Sequence, residues 1–355
     1  MTSDVKRIAV VPGDGIGPEV IEEAVAVLER LRETHGVRLE LKQFDWGAEK
    51  FLKEGVTLPE GALEMLSREF DAVLAGAFGD PRVPSNQHAE EILLGMRRGL
   101  DLYINLRPVR LLHPRLTPPR DRRADEIDFV VFRENTEGAY SGAGGFLKKG
   151  TADEIATQEE LNTRKGVERI CVAAFEYARA RGRRKVTMCD KSNVQRFGGD
   201  LWQRVFKEVA SRYESIEANH QYVDAAAMFM VLNPAQYEVI VTSNLFGDIL
   251  TDLGAALQGG LGLAASGNIH PGRVSLFEPV HGSAPPLAGQ SKANPAGAIL
   301  STALMLEYLG HTEASAAVER AVRECIAAGE ATRDLGGSLS TKEAGEKVRG
   351  RIKAA

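Results

Sequence analysis

The sequence predicts an α/β protein in two domains, built around a largely parallel sheet. Short β-rich apolar runs alternate with helical patterns from one end to the other, the pattern of strands joined by crossover helices. At 355 residues the chain also exceeds what one hydrophobic core usually covers. A composition of 43% hydrophobic and 26% charged residues suits a folded chain and excludes wholesale disorder.

Residues 8–11 form the first strand candidate, and after Pro18 the side chains of Val20, Ile21, Ala24, Val27, Leu28 and Leu31 share one face at helical spacing. Further strands are predicted at 72–77, 102–106, 127–132, 186–189 and 239–242. Helical patterns lie at 167–180, 201–210, 249–257, 295–309 and 314–328. The Pro- and charge-rich segment 113–125 is a loop rather than sheet interior. Residues 138–166 are glycine-rich with little apolar periodicity, and read as a projecting arm.

Charge and composition narrow the class. Lys and Arg number 44 against 49 Asp and Glu, a net −5 with no sustained basic block, which argues against a dedicated nucleic-acid binder. No apolar run reaches membrane-spanning length and the N-terminus lacks a signal core, so a cytoplasmic protein without membrane partners is expected. Cys171, Cys189 and Cys325 form no CxxC pair and no even set, and are expected to be buried thiols in a reducing compartment.

Several segments carry chemistry. Residues 12–18 (PGDGIGP) follow a strand and open a helix, where glycines let backbone amides approach an anion. The GxGxxG fingerprint is incomplete, because Pro18 stands at its third glycine, and no GK[ST] follows. Alone, the loop reads as a tight strand-to-helix turn with proline near the helix start. Arg97 and Arg98 precede the strand LDLYINL, Arg107 ends it, and Arg133 ends IDFVVF. Guanidinium forks at neighbouring strand ends would make a socket for a di- or tricarboxylate, although each arginine singly also fits a surface ion pair.

Asp248 and Asp252 are four apart and share a helix face, where like charges repel unless a cation compensates. Mg²⁺ or Mn²⁺ suits such a pair; favourable placement near a helix N-terminus is the competing explanation. Asp224, at the end of another strand candidate, could join them. Lys191 lies just past a strand; beside a metal and arginines it would lose its proton more easily and could act as a general base, while without them it reads as an ordinary solvated lysine. Tyr140 could serve as an acid. The long loop FEPVHGSAP at 277–285, followed by ANP at 293–295, is of a kind uncommon unless it binds something. His281 within it fits a structural hydrogen bond or a ligand contact equally.

In order and at similar separations, PGDGIGPEV, LDLYINLRP, FRENTEGAY, CDKSNV, HQYVDA, TSNLFGDILTD, FEPVHGSAP and KANP resemble the metal-dependent β-decarboxylating dehydrogenases. That family acts on (R)-hydroxy acids: 3-isopropylmalate, isocitrate, homoisocitrate, and tartrate or D-malate. The resemblance implies that Arg97, Arg107 and Arg133 hold the malate-type carboxylates. It implies a divalent metal, Mg²⁺ or Mn²⁺, on Asp248 and Asp252, with Asp224 and the general base Lys191 contributed by the partner in a homodimer. Tyr140 would protonate the enol carbon once CO₂ has left. NAD would lie across Glu278, His281, Gly282, Ser283, Ala284 and Asn294. The implied fold joins both chain ends, 1–102 and 258–355, in a cofactor domain, with 103–257 as the substrate and dimerisation domain and 138–166 as a dimer-clasping arm.

Glu90, Leu93 and Leu94 before Arg97, and Val194 after Lys191, match the residues around the alkyl group in the isopropylmalate branch. The implied reaction is therefore oxidative decarboxylation of 3-isopropylmalate to 4-methyl-2-oxopentanoate and CO₂, a step of leucine biosynthesis. Apolar residues here favour an alkyl substituent over a third carboxylate. The Ser and Asn of isocitrate enzymes are absent from this segment, while Arg98 beside Arg97 keeps homoisocitrate open. A non-catalytic nucleotide-binding α/β protein is the reading from another class, opposed by the intact Lys191, Tyr140 and aspartates. One departure stands out. Pro286-Leu287 occupies the place where NAD-preferring members carry an acid and NADP-preferring ones often have Lys-Tyr, so NAD use with poor discrimination against NADP is expected.

Overall fold

The computed structural model describes residues 5–354. The chain opens with β1 (Lys6–Gly13), α1 (Gly17–His35), β2 (Leu39–Gln43), α2 (Ala48–Glu54), α3 (Ala62–Glu69) and β3 (Ala72–Ala77). Next come α4 (Gln87–Gly99), β4 (Ile104–Arg110), β5 (Asp128–Glu134), β6 (Gly144–Leu147), β7 (Ile155–Gln158), α5 (Arg164–Ala180) and β8 (Lys185–Asp190). The remainder is α6 (Arg196–Ala210), β9 (Glu217–Tyr222), α7 (Val223–Leu232), β10 (Val239–Thr242), α8 (Asn244–Gln258), β11 (Ala265–Ile269), β12 (Ser275–Pro279), α9 (Ala296–Tyr308), α10 (Thr312–Ala327) and α11 (Thr341–Arg351).

These elements form two compact units. The first comprises the chain up to Leu102, Arg110–Ala124, and everything from Ala255 onward; the second comprises Tyr103–Val109 and Asp125–Gly254. Residues 110–124 and 255–257, expected in the middle domain, group with the first unit.

In the first unit the strand order is β2-β1-β3-β12-β11. β1 pairs in parallel with β2 and β3, and β3 in parallel with β12; β11 and β12 run antiparallel. Every residue of β3 is buried, as expected of an apolar strand covered on both faces. One face is covered by a cluster that includes Trp46, Leu66, Phe70, Ile92, Met96 and Leu276. On α1, Val20, Ile21, Ala24, Val27, Leu28 and Leu31 are buried, the face that its periodicity predicts. α1 packs on α9 and α11, and a capping box between Ser340 and Glu343 starts α11.

The second unit has the order β4-β5-β10-β8-β9. β10 pairs in parallel with β5 and β8, and β8 in parallel with β9. Phe129, Val131, Val186 and Ile240 are buried in its sheet, with Phe175 of α5 and Phe206 of α6 against one another. Thr163 caps α5 by accepting from Gly166. The arm is a separate antiparallel hairpin of β6 and β7, all eight of whose residues are exposed.

Three placements differ from the sequence reading. Arg97 and Arg98 lie in the last turn of α4, not in a turn before a strand, because Ile92 and Met96 bury a helical face there. β4 starts at Ile104 and runs through Pro108 to Arg110, so Arg107 is within the strand rather than at its end. Asp224 sits in the first turn of α7, whose N-cap is Tyr222, rather than ending a strand. The three cysteines are free and buried. Among the described residues no helix is long and apolar enough to cross a membrane.

The loop at 13–16 is a tight turn in which the amides of Asp14 and Ile16 already have partners. Asp14 N–H donates to the Ala77 carbonyl at 2.7 Å and Ile16 N–H to the Ser283 carbonyl at 2.8 Å. The buried Asp14 carboxylate accepts from Ala48 N–H, Gly79 N–H and the His88 ring. Gly15 has φ +59°, and a Cβ there would come 2.0 Å from the Ser283 carbonyl oxygen. Gly15→Ala is therefore expected to destabilise by about 2–4 kcal/mol through strain and displacement of Ser283. Thermal unfolding checks this, and an unchanged melting temperature would contradict it.

Candidate active site

The residues singled out from the sequence fall into three groups of contacts. In the second unit, β4, β5, the short turn Ala139–Ser141 and α8 bring together Arg107, Arg133, Tyr140, Asp248 and Asp252. Arg133 is 1% exposed, and its Nε and Nη2 donate to Asn244 Oδ1 at 3.0 and 2.7 Å. Its Nη1 is bonded to Asp248 Oδ1, and its guanidinium lies 5.2 Å from the Tyr140 ring centroid. Gly247 makes this path possible, since a Cβ there would fall 2.5 Å from Arg133 Cγ. Asn244 in turn donates to the Glu137 carbonyl at 3.0 Å, tying the start of α8 to the segment before Tyr140.

Arg107 Nη1 donates to Thr251 Oγ1 at 2.6 Å and lies 3.6 Å from Asp248 Oδ1 and 4.0 Å from Asp252 Oδ1. Asp248 and Asp252 are both on α8, four residues apart on one face, as their spacing predicts. Partial loss of water raises the Asp252 carboxyl above its usual range; Arg107 opposes this and the Asp248 carboxylate adds to it. Tyr140 donates its hydroxyl to Asp248 Oδ2 at 2.8 Å. Burial first, and then that bond, push the phenol upward, so it keeps its proton at neutral pH.

The second group joins Lys191, in the turn after β8, to Asp224 at the start of α7. Lys191 Nζ donates to Asp224 Oδ1 at 2.7 Å, and this bond lowers the Asp224 carboxyl. Val194, three residues past Lys191, is 68% exposed. Within one chain Asp224 does not join Asp248 and Asp252: among the described residues no three His, Cys, Asp or Glu side chains gather closely enough to hold a metal. Two α8 carboxylates remain, a donor set that suits Mg²⁺ or Mn²⁺, which take one or two carboxylates and complete their shell with water and ligand oxygens.

The third group is in the first unit. On α4, Glu90, Leu94 and Arg97 recur at helical spacing on one face, with Leu93 beside them and packed against the core. Arg97 Nη2 donates to Glu278 Oε1 at 3.1 Å, and the same oxygen accepts from Asn268 Nδ2 at 2.8 Å. Glu278, on β12, is thus tied to a candidate substrate arginine, a link that spacing could not reveal. Past β12, the His281 ring lies with Nδ1 3.0 Å from the Gly282 carbonyl, and burial lowers its pKa, so it is neutral. Its buried Nε2 has no protein hydrogen-bond partner among the described residues, leaving a polar atom for a ligand to meet. Gly282 is exposed, the Ser283 carbonyl holds Ile16, and Ala284 has φ 38°. Asn294 Oδ1 accepts from Ala296 N–H and its Nδ2 donates to Asp334. The turn Pro285–Leu287 that follows Ala284 presents no charged side chain.

Comparison with known proteins bears on all three groups. The isocitrate/isopropylmalate dehydrogenase family model matches residues 7–348. A 3-isopropylmalate dehydrogenase of Thermobifida fusca is 48% identical over 99% of this chain and 99% of its own. Its counterpart in Streptomyces coelicolor is 47% identical, covering 98% of each. Among solved structures, an isocitrate dehydrogenase from Methylococcus capsulatus superposes with TM-score 0.89 at 37% identity, over 98% of this chain and all of that one. With a match that runs nearly end to end, and with paired arginines, α8 aspartates and a tyrosine in one cluster, the chain belongs to the isocitrate/isopropylmalate dehydrogenase family.

Proposed function

We propose that this protein oxidatively decarboxylates 3-isopropylmalate to 4-methyl-2-oxopentanoate, using NAD and a divalent cation. The observation that carries the reading is the cluster in which Arg107, Arg133 and Tyr140 surround Asp248, with Asp252 one turn further along α8. Arg97, Arg107 and Arg133 take the substrate's carboxylates, their forks matching carboxylate geometry. Lys191, as the neutral amine, accepts the proton of the substrate hydroxyl, and Asp224 holds the ammonium that results through the contact seen at 2.7 Å. Tyr140, still protonated at neutral pH, delivers a proton to the enol carbon. When bound, the nicotinamide supplies the hydride acceptor and the cation on Asp248 and Asp252 polarises the reacting oxygen. Glu278, His281, Gly282, Ser283, Ala284 and Asn294 form the cofactor's seat, the neutral His281 offering Nε2.

Leu93 and Leu94 on α4, with Glu90, support the alkyl-bearing substrate over isocitrate, homoisocitrate, or tartrate and D-malate, and Val194 joins them from beyond Lys191. The names of the Thermobifida and Streptomyces relatives agree with this choice. We further propose a homodimer in which Lys191, Asp224 and Val194 complete the partner's site. Support comes from the separation of Asp224 from the α8 aspartates within one chain. Exposed Phe197, Met228, Leu232 and Ile249, with the hairpin's Phe146 and Leu147, supply apolar surface for such an interface.

The test is direct. With Mg²⁺ and NAD, 3-isopropylmalate should generate reduced nicotinamide at least tenfold faster than isocitrate, homoisocitrate, D-malate or tartrate; no reduction with any of them would overturn the reading. Because Pro286 and Leu287 carry no charge, kcat/KM with NAD and with NADP should agree within about tenfold, short of what a 2′-hydroxyl carboxylate would impose. A thousandfold preference for either coenzyme would show that another residue discriminates.

A further inference from the structure

Lys191 and Asp224 leave two neighbouring parallel strands. Asp190, the last residue of β8, stands opposite Tyr222, the last residue of β9, so the two reactive groups lie one and two residues past a matched rung. Their separation is therefore set by the register of β9 on β8. That register is poorly specified by burial: β9 (EANHQY) is polar, none of its residues is buried, and it ends the strand order of its unit.

A side-chain bond secures the rung instead. Asp190 is 5% exposed, and its Oδ1 accepts from His220 Nε2 at 2.7 Å and from Ser192 N–H at 3.1 Å. A carboxylate only accepts, so Nε2 carries the proton. His220 is two residues before Tyr222, hence on the same face of β9, and its ring meets that of Tyr222 edge-on at 5.1 Å. The Tyr222 ring centroid is in turn 5.8 Å from Lys191 Nζ. Past Lys191 the chain folds back, with Val194 and Gln195 N–H both donating to the Lys191 carbonyl at 2.9 Å. A Lys185–Glu217 ion pair joins the two strands at their other ends.

We propose that His220 is a positioning residue for the Lys191–Asp224 pair, fixing the turn after β8 against the start of α7 through Asp190 and Tyr222. The inference rests on the proposed roles of Lys191 and Asp224. His220→Phe keeps an aromatic ring against Tyr222 and loses the donor to Asp190; His220→Gln keeps a donor. A displacement of about 1 Å at a reacting group can cost on the order of 100-fold in rate. His220→Phe should accordingly lower kcat about 10–100-fold, with KM for 3-isopropylmalate and NAD within about threefold and the melting temperature little changed. His220→Gln should recover most of the rate. Wild-type kcat in His220→Phe, or equal losses in both variants, would overturn the proposal, as would losses matched by a collapse of the melting temperature. Lys191→Met run alongside separates the two readings. If it retains turnover, the role of Lys191 fails and the positioning role falls with it. If it is inactive while His220→Phe turns over normally, the positioning role alone fails.

Discussion

Lys191→Met is expected to lower kcat by about 10³-fold, in line with general acid–base catalysis and equivalent to about 4 kcal/mol in the barrier. Methionine keeps much of the unbranched stem and removes only the basic nitrogen, so the turn that Lys191 shares with Val194 and Gln195 should persist. KM for the hydroxy acid should shift by less than about fivefold, because the arginines proposed to hold its carboxylates are other residues. Steady-state kinetics and a thermal melt of the same sample check both halves. Retention of more than a tenth of the wild-type rate would remove Lys191 from proton transfer.

The second large effect is expected from Arg133→Ala, which acts on fold and chemistry together. Arg133 is the largest side chain among those almost wholly buried, and it engages Asn244, Asp248 and the Tyr140 face. Its loss opens a cavity and leaves Asn244 Oδ1 and Asp248 without their guanidinium. The destabilisation should be about 3 kcal/mol, the scale seen when a large buried side chain is cut back to alanine. kcat/KM should fall by at least about 10³-fold. Arg133→Lys should recover packing but little activity, because an ammonium cannot reproduce the fork that reaches Asn244 and Asp248 at once. Full activity in the lysine variant would show that the site needs only a positive charge.

The parts of the fold most legible in the sequence are those where burial and periodicity agree. α1 shows its apolar stripe because one face meets a sheet and the other water, and residues 72–77 and 239–242 coincide with β3 and β10. Elements escape where that contrast is missing. α7 (VDAAAMFMVL) is apolar all round, so no stripe marks it, and Asp224 is misplaced as a result. β9 has no apolar residue beyond Ala218 and the Tyr222 ring, and β11 and β12 are short runs broken by glycine or closed by proline. Arg107 and Pro108 interrupt the apolar run of β4, which hides that the strand continues to Arg110.

Candidate residues were readable singly because the chemistry of arginine forks and paired carboxylates limits their uses. Their grouping was not, except for Asp248 and Asp252, whose spacing on α8 places them together. The Arg97–Glu278 link spans 181 positions and His220–Asp190 spans 30, separations that no local pattern encodes. A histidine two residues before Tyr222 on a polar strand gives no local sign of its bond to Asp190.

The three cysteines carry a consequence of another sort. Burial raises all three thiols, Cys171 and Cys189 most strongly, and thiolates are the species that react. The folded chain is therefore expected to react only slowly with maleimides. A cysteine placed at the exposed Thr151, between the two hairpin strands, would be the one position to take a dye, so hairpin motion could be followed without first stripping the native cysteines.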